Sequence, residues 1–175
     1  MVSIIAGCAG DWVYSSHTNK CYKHFSSPQL PWDEARASCM SITSSTAIAS
    51  SGSNVATTAS TAVSSASNGD LASIPDEATN EFMKQQFSKD KGWIGGHLDS
   101  DGNWAWSDGT PWSYTAWGEG SPDNPIGNIP VTLKEKSGLW SDVKQKFVRS
   151  YFCQNKNVIA PGTSMINSKV TFDKT

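Results

Sequence analysis

The chain has 175 residues, with 14 Lys and Arg against 16 Asp and Glu and a formal charge of -2, so it has room for one ordinary domain, or a smaller one with a large insertion, but not two independent cores. That charge balance excludes the electrostatic footprint of nucleic-acid binding and of a polybasic membrane patch. The most apolar stretch, residues 2–6, is far shorter than the roughly 20 residues that span a bilayer, so no membrane span is expected.

The amino terminus, MVSIIAGCAG, has no basic n-region and no full-length apolar core, and does not read as a complete signal peptide. Residues 31–39 open with Pro31 and carry Asp33 and Glu34 in the first turn. Trp32, Ala35 and Cys39 fall on one face at i, i+3 and i+7, which predicts a helix. Residues 41–67 follow as a tract of Ser, Thr and Ala without charge, aromatic or proline. Such a tract buries too little apolar surface to offset its ordering entropy and is expected to be a flexible insertion. A second helix is predicted over 76–87, with Pro75 before it, Asp76, Glu77 and Glu81 early, Lys84 late, and Ala78, Phe82 and Phe87 as inward candidates. From Trp93 onward, short runs broken by Gly, Pro, Asn and Asp read as strands joined by turns and long loops. They are 93–95, 104–106, 131–133 and 149–154. Residues 155–175 carry no matching pattern and are expected to be a tail.

Eight Trp in a chain with only 17% charged residues need placing, because Trp is enriched where rings meet ligands or line interfaces. Trp12, Trp32, Trp93, Trp104, Trp106 and Trp140 read as packing residues. Trp112, Tyr114 and Trp117 lie between the predicted strands, where a ring either holds its own loop together or meets a ligand or partner. The four Cys, at 8, 21, 39 and 153, include no C-x-x-C pair and have no His at zinc-ligand spacing. Disulfides, and hence a secreted or extracellular setting, are therefore the better reading than a metal cage. No Ser/His/Asp or Cys/His constellation is recognisable, and His17, His24 and His97 have no evident partners, so the chain does not read as an enzyme.

Ten motifs occur in order: Cys8…Trp12…Cys21-Tyr22; Trp32-x-x-Ala35-x-x-x-Cys39; Gly69-Asp70-Leu71-Ala72-Ser73-Ile74; Glu77…Phe82; Trp93-Ile94-Gly95-Gly96; Gly102 to Gly109 (GNWAWSDG); Trp117…Pro122-Asp123-Asn124; Val131-Thr132-Leu133; Gly138-Leu139-Trp140-Ser141-Asp142; and Tyr151-Phe152-Cys153. In this register the chain resembles the C-type lectin-like domain, in its long form with an amino-terminal disulfide hairpin, over residues 8–154. The resemblance implies an α+β fold, with two helices flanking small antiparallel sheets and a long ligand-binding loop within 110–142. It pairs Cys8 with Cys21 and Cys39 with Cys153.

Sugar-binding members of that family hold Ca²⁺ with a Glu-Pro-Asn or Gln-Pro-Asp triplet, a following acid, and the Asn-Asp of a Trp-Asn-Asp motif. The equivalent positions here are Ser121-Pro122-Asp123, Asn128, and Ser141-Asp142. Three of these five ligand positions are altered, and Ca²⁺ wants six to eight oxygens. The positions of a further family disulfide read Pro130 and Gln145. A closure of about 15 residues is worth roughly 3 kcal/mol. The implied function is a non-catalytic extracellular module that binds carbohydrate or glycoprotein through Asp123, Asn124, Asp142, Trp112, Tyr114 and Trp117, with weak or degraded dependence on Ca²⁺. Calcium-independent binding of a protein ligand is the alternative.

Overall fold

A computed structural model describes residues 7–42, 69–124, 129–134 and 136–156. Most of the expected 41–67 insertion, Asn128, and all but the first two residues of the expected tail lie outside the described residues. The elements are β1 (Val13–Ser15), β2 (Lys20–Leu30), α1 (Trp32–Ser41), β3 (Gly69–Leu71), α2 (Glu77–Gln86), β4 (Gly92–Leu98), β5 (Trp104–Trp106), β6 (Ile129–Leu133), β7 (Trp140–Asp142) and β8 (Arg149–Asn155). The strands form one connected sheet of order β1-β2-β8-β4-β6-β7, with β3 added on β8 and β5 on β4. Every pairing is antiparallel except β4 with β8, which meet in parallel at Trp93 and Tyr151. Two antiparallel groups are thus joined at the centre of an α+β domain.

Helix α1 begins just after Pro31 and buries Trp32, Ala35 and Cys39, the face its spacing predicts. Its indole and that of the neighbouring strand are used twice over: Trp32 Nε1 donates to Ile94 O at 2.9 Å and Trp93 Nε1 donates to Leu30 O at 2.9 Å. In α2 the carboxylate of Asp76 caps the first turn, accepting from Thr79 N at 2.7 Å. The inward face differs from the expected one. Ala78 is exposed, while Thr79, Asn80 and Met83 are buried, with Phe87 beyond the helix end and Phe82 half-buried. Asn80 replaces an apolar contact with two hydrogen bonds, donating to Gly138 O at 3.1 Å and accepting from Trp140 Nε1 at 3.0 Å.

Both disulfides form as the resemblance implies, Cys8 to Cys21 across the amino-terminal hairpin and Cys39 to Cys153 between α1 and β8. The glycines of the Trp93-Ile94-Gly95-Gly96 run admit close neighbours. A Cβ on Gly95 would sit 2.7 Å from Ser107 Oγ, and one on Gly96 would sit 3.1 Å from the Trp112 ring. Strand β4 therefore lets the segment after β5 lie directly on it, and that segment carries the site.

Candidate ligand site on the long loop

Residues 107–124 have no regular secondary structure. The irregular segment is shorter than 110–142, because β6 and β7 occupy part of that range as buried strands of the sheet. A polar cluster holds its beginning. The Asp108 carboxylate accepts from Thr110 N at 3.0 Å, Thr110 Oγ1 at 2.8 Å, Gln154 Nε2 at 2.6 Å, Ser73 Oγ at 3.1 Å and Lys20 Nζ at 3.4 Å. Burial opposes its charge, but these donors and the Lys20 ammonium hold its carboxyl below the usual carboxylate range.

An aromatic cluster holds the middle of the segment. Trp112, Tyr114 and Trp117 are half-buried against the fully buried Trp140, with ring centroids 5.7, 5.7 and 5.8 Å away. Trp104 packs on Trp112 and Trp117 at 5.9 and 4.7 Å. The backbone locks to the same residue, with Trp140 N donating to Ala116 O at 2.7 Å and Gly118 N to Trp140 O at 2.8 Å. The three loop aromatics therefore serve first to pack the loop onto β7.

The triplet follows, with a cis Ser121–Pro122 bond. Asp123 N reaches both oxygens of Asp142 at 3.1 Å, and Asn124 N and Asn124 Nδ2 each donate to Asp142 Oδ2 at 2.8 Å. The second hydrogen of that amide goes to Asp123 Oδ1 at 2.6 Å. The remaining hydrogen-bonding atom of the Asn124 side chain is its oxygen, beside the exposed carboxylate of Asp123. These groups border an open pocket of about 350 Å³ lined by Leu98, Gly102, Trp104, Pro122, Asp123 and Asn124.

Ser141 does not join this group. Side chains alternate across a strand, and β7 pairs Ser141 with Thr132 but Asp142 with Val131. Asp142 is buried on the side of the triplet, whereas Ser141 borders a separate pocket with Thr132 and Arg149. Gln145, at an expected disulfide position, donates to Asp33 of α1, and Val143 N donates to Pro130 O at 2.9 Å.

Among the described residues, those at the expected ligand positions do not fit a calcium ion. Two carboxylates remain, and Asp142 already receives N–H donors on both oxygens, so positive dipole ends occupy the space a cation would need. No group of three or more His, Cys, Asp or Glu suited to a metal occurs among the described residues.

The histidines depart from expectation, because their partners are distant in sequence. His17 Nε2 lies 3.0 Å from Asp76 and His24 Nδ1 lies 3.1 Å from Asp90. Burial holds the His24 imidazole below its ordinary range despite Asp90. His97 packs on Trp32, with ring centroids 5.1 Å apart. Trp104 is the residue the sequence undervalued: it reads as packing, and it does pack, yet it also borders the triplet pocket.

The Lectin C-type domain family matches residues 57–155. The mouse low affinity immunoglobulin epsilon Fc receptor is 28% identical over 145 residues, covering 82% of this chain and 34% of the receptor, so the chain spans about a third of that relative. C-type lectin 1 of Hydrophis hardwickii is 29% identical over 156 residues, covering 84% of this chain and 79% of that one. Among solved structures, a calcium-independent type II antifreeze protein superposes with a TM-score of 0.64 at 21% identity, covering 89% of this chain and 98% of that one. The paired cysteines, the sheet order, the loop clamped on Trp140 and these matches agree: the chain belongs to the C-type lectin domain family.

Proposed function

We propose that this chain is an extracellular carbohydrate-recognition module whose ligand sits in the triplet pocket and whose binding does not need calcium. C-type lectin-like domains are non-enzymatic recognition modules that bind carbohydrate or protein ligands. The observation that carries the proposal is the engagement of Asp142 by the N–H groups of Asp123 and Asn124. Those bonds do for the triplet what a bridging ion would otherwise do. They leave the Asp123 carboxylate and the Asn124 side-chain oxygen as acceptors beside the half-buried ring of Trp104. Sugar hydroxyls donate to such acceptors, and a sugar's C–H face packs on an aromatic ring. The calcium-independent antifreeze protein has the same fold, so the fold itself does not demand the ion. The two disulfides support an extracellular setting.

The test is a glycan array probed in calcium and in chelator, followed by calorimetric titration of the best monosaccharide. Affinity in chelator is expected to stay within about twofold of that in calcium. N124A is expected to lower it about tenfold, as loss of a hydrogen-bonding group in a site does. Binding that vanishes in chelator contradicts the proposal. Silence across the array under both conditions replaces it with a protein partner.

A further inference from the structure

The structure carries a second pocket, on the opposite face of the β6 and β7 pair from the triplet. We propose that it binds a sulfate or carboxylate group of an acidic saccharide. Its volume is about 400 Å³, and Lys91, Lys134 and Arg149 line it together with the hydroxyls of Thr132, Ser137 and Ser141. That volume lies within the ~300–1,000 Å³ of small-molecule sites. No carboxylate lines it among the described residues, although the chain as a whole is slightly acidic.

The concentration of positive charge begins in the sequence. Five of the 14 Lys and Arg fall within residues 134–149, against Glu135 and Asp142. Strand register then separates the charges: Asp142 pairs with Val131 and turns to the triplet, while the Ser141 and Thr132 pair faces the pocket. Three cations thus line one concavity while Asp142 faces away from it.

Arg149 is the one pocket residue with an unmet buried donor among the described residues. Its Nε–H is buried with no hydrogen-bond partner among the described residues. Buried guanidinium donors are ordinarily paired, because an unmet charged donor is costly. The guanidinium carbon lies 5.5 Å from the Trp93 ring centroid and 5.9 Å from that of Phe147. Both rings lie within cation–π range of the guanidinium. Leu133 and Val143 also line the pocket. They supply apolar surface next to hydroxyls and cations, which suits a ring-shaped ligand carrying an acid better than a bare anion.

The test uses the whole chain and three probes: a heparin-derived tetrasaccharide, the same tetrasaccharide with its sulfates removed, and inorganic sulfate. Calorimetry gives affinity, and the Arg149 Nε–H resonance in ¹H–¹⁵N spectra reports the contact. The sulfated tetrasaccharide is expected to shift that resonance and to bind more weakly as salt rises. K91A/K134A, at two exposed positions, is expected to lower its affinity about tenfold. Neutral-sugar binding at the triplet, measured in the same variant, is expected to be unchanged, so failure here and failure there are distinguishable. Equal binding of the desulfated probe, an unmoved Arg149 resonance, or unaltered affinity in K91A/K134A overturns the proposal. Inorganic sulfate binding as tightly as the tetrasaccharide overturns its saccharide part, and absence of binding by all three probes overturns it entirely.

Discussion

Replacing Asp108 with alanine is expected to cost about 3–5 kcal/mol of folding stability, the range for removing one partner of a buried ion pair. Lys20 and Asp108 have side chains only 14% and 7% exposed. Lys20 Nζ also contacts Ser73 Oγ at 3.1 Å and Gln154 Oε1 at 3.0 Å, so the ammonium of the variant would keep dipoles around it but lose its counter-charge. Burial already holds the Lys20 ammonium below its usual range in spite of Asp108, and it should fall further in the variant. D108A/K20M removes both charges and is expected to recover most of the loss, which separates the unpaired charge from the lost loop contacts.

The pH dependence follows from the sign of each shift. The carboxyl of Asp108 titrates below its unfolded value of about 3.9. Its contribution is therefore complete above that pH and is lost as pH falls through the folded value. The lowered Lys20 value acts at the other end: its burial costs stability while it is charged, and that cost fades as pH rises through the folded value. Urea denaturation from acid to alkaline pH reads both effects. A loss under about 1 kcal/mol in D108A would mean that the cluster is not a buried pair in the sense used here.

Trp140→Ala is expected to cost about 3–5 kcal/mol, as truncation of a fully buried aromatic does, and to abolish ligand binding at the triplet as well. The ring is completely buried and meets Trp106, Trp112, Tyr114 and Trp117 with centroids 5.4 to 5.8 Å away. Its indole N–H satisfies Asn80, which would be left with an unmet buried oxygen. Because Trp112, Tyr114 and Trp117 have this ring as their common neighbour, its loss should let residues 112–117 move together. Trp140→Phe keeps most of the packing but not the hydrogen bond, and is expected to cost less and to retain weakened binding. Urea denaturation and near-ultraviolet circular dichroism measure the first effect and calorimetry the second. Binding in W140A within about twofold of the parent would show that the loop is held by something else.

The helices and four of the eight strands, β4, β5, β6 and β8, were legible in the sequence because their determinants are local, whereas β1, β2, β3 and β7 were not read as strands. Pro31 and the Trp32, Ala35 and Cys39 stripe mark α1, and Pro75 with the early acids Asp76, Glu77 and Glu81 marks α2. The inward face of α2 was not legible, since apolarity picks Ala78 whereas burial follows the tertiary hydrogen bonds of Asn80. The site was readable as a set of positions but not as a geometry. Resemblance places Ser141 and Asp142 side by side as ligands, and only the pairing of β7 with β6 shows that they face opposite ways. The bonds from Asp123 and Asn124 to Asp142 cross 18 or 19 residues, and no periodicity reports a contact of that kind. The same holds for His17 with Asp76 and His24 with Asp90.

The most direct measurement of whether Asp142 serves the triplet rather than an ion is a calcium titration followed by ¹H–¹⁵N spectra and amide exchange at Asp123 and Asn124. At ~10 mM calcium, above the 10⁻⁴–10⁻³ M range of extracellular sites, both amides are expected to keep their shifts and their slow exchange, with no rise in melting temperature. A saturable shift of these two resonances, with faster exchange as Asp142 leaves them for the ion and a calcium-dependent gain in melting temperature, would contradict the account.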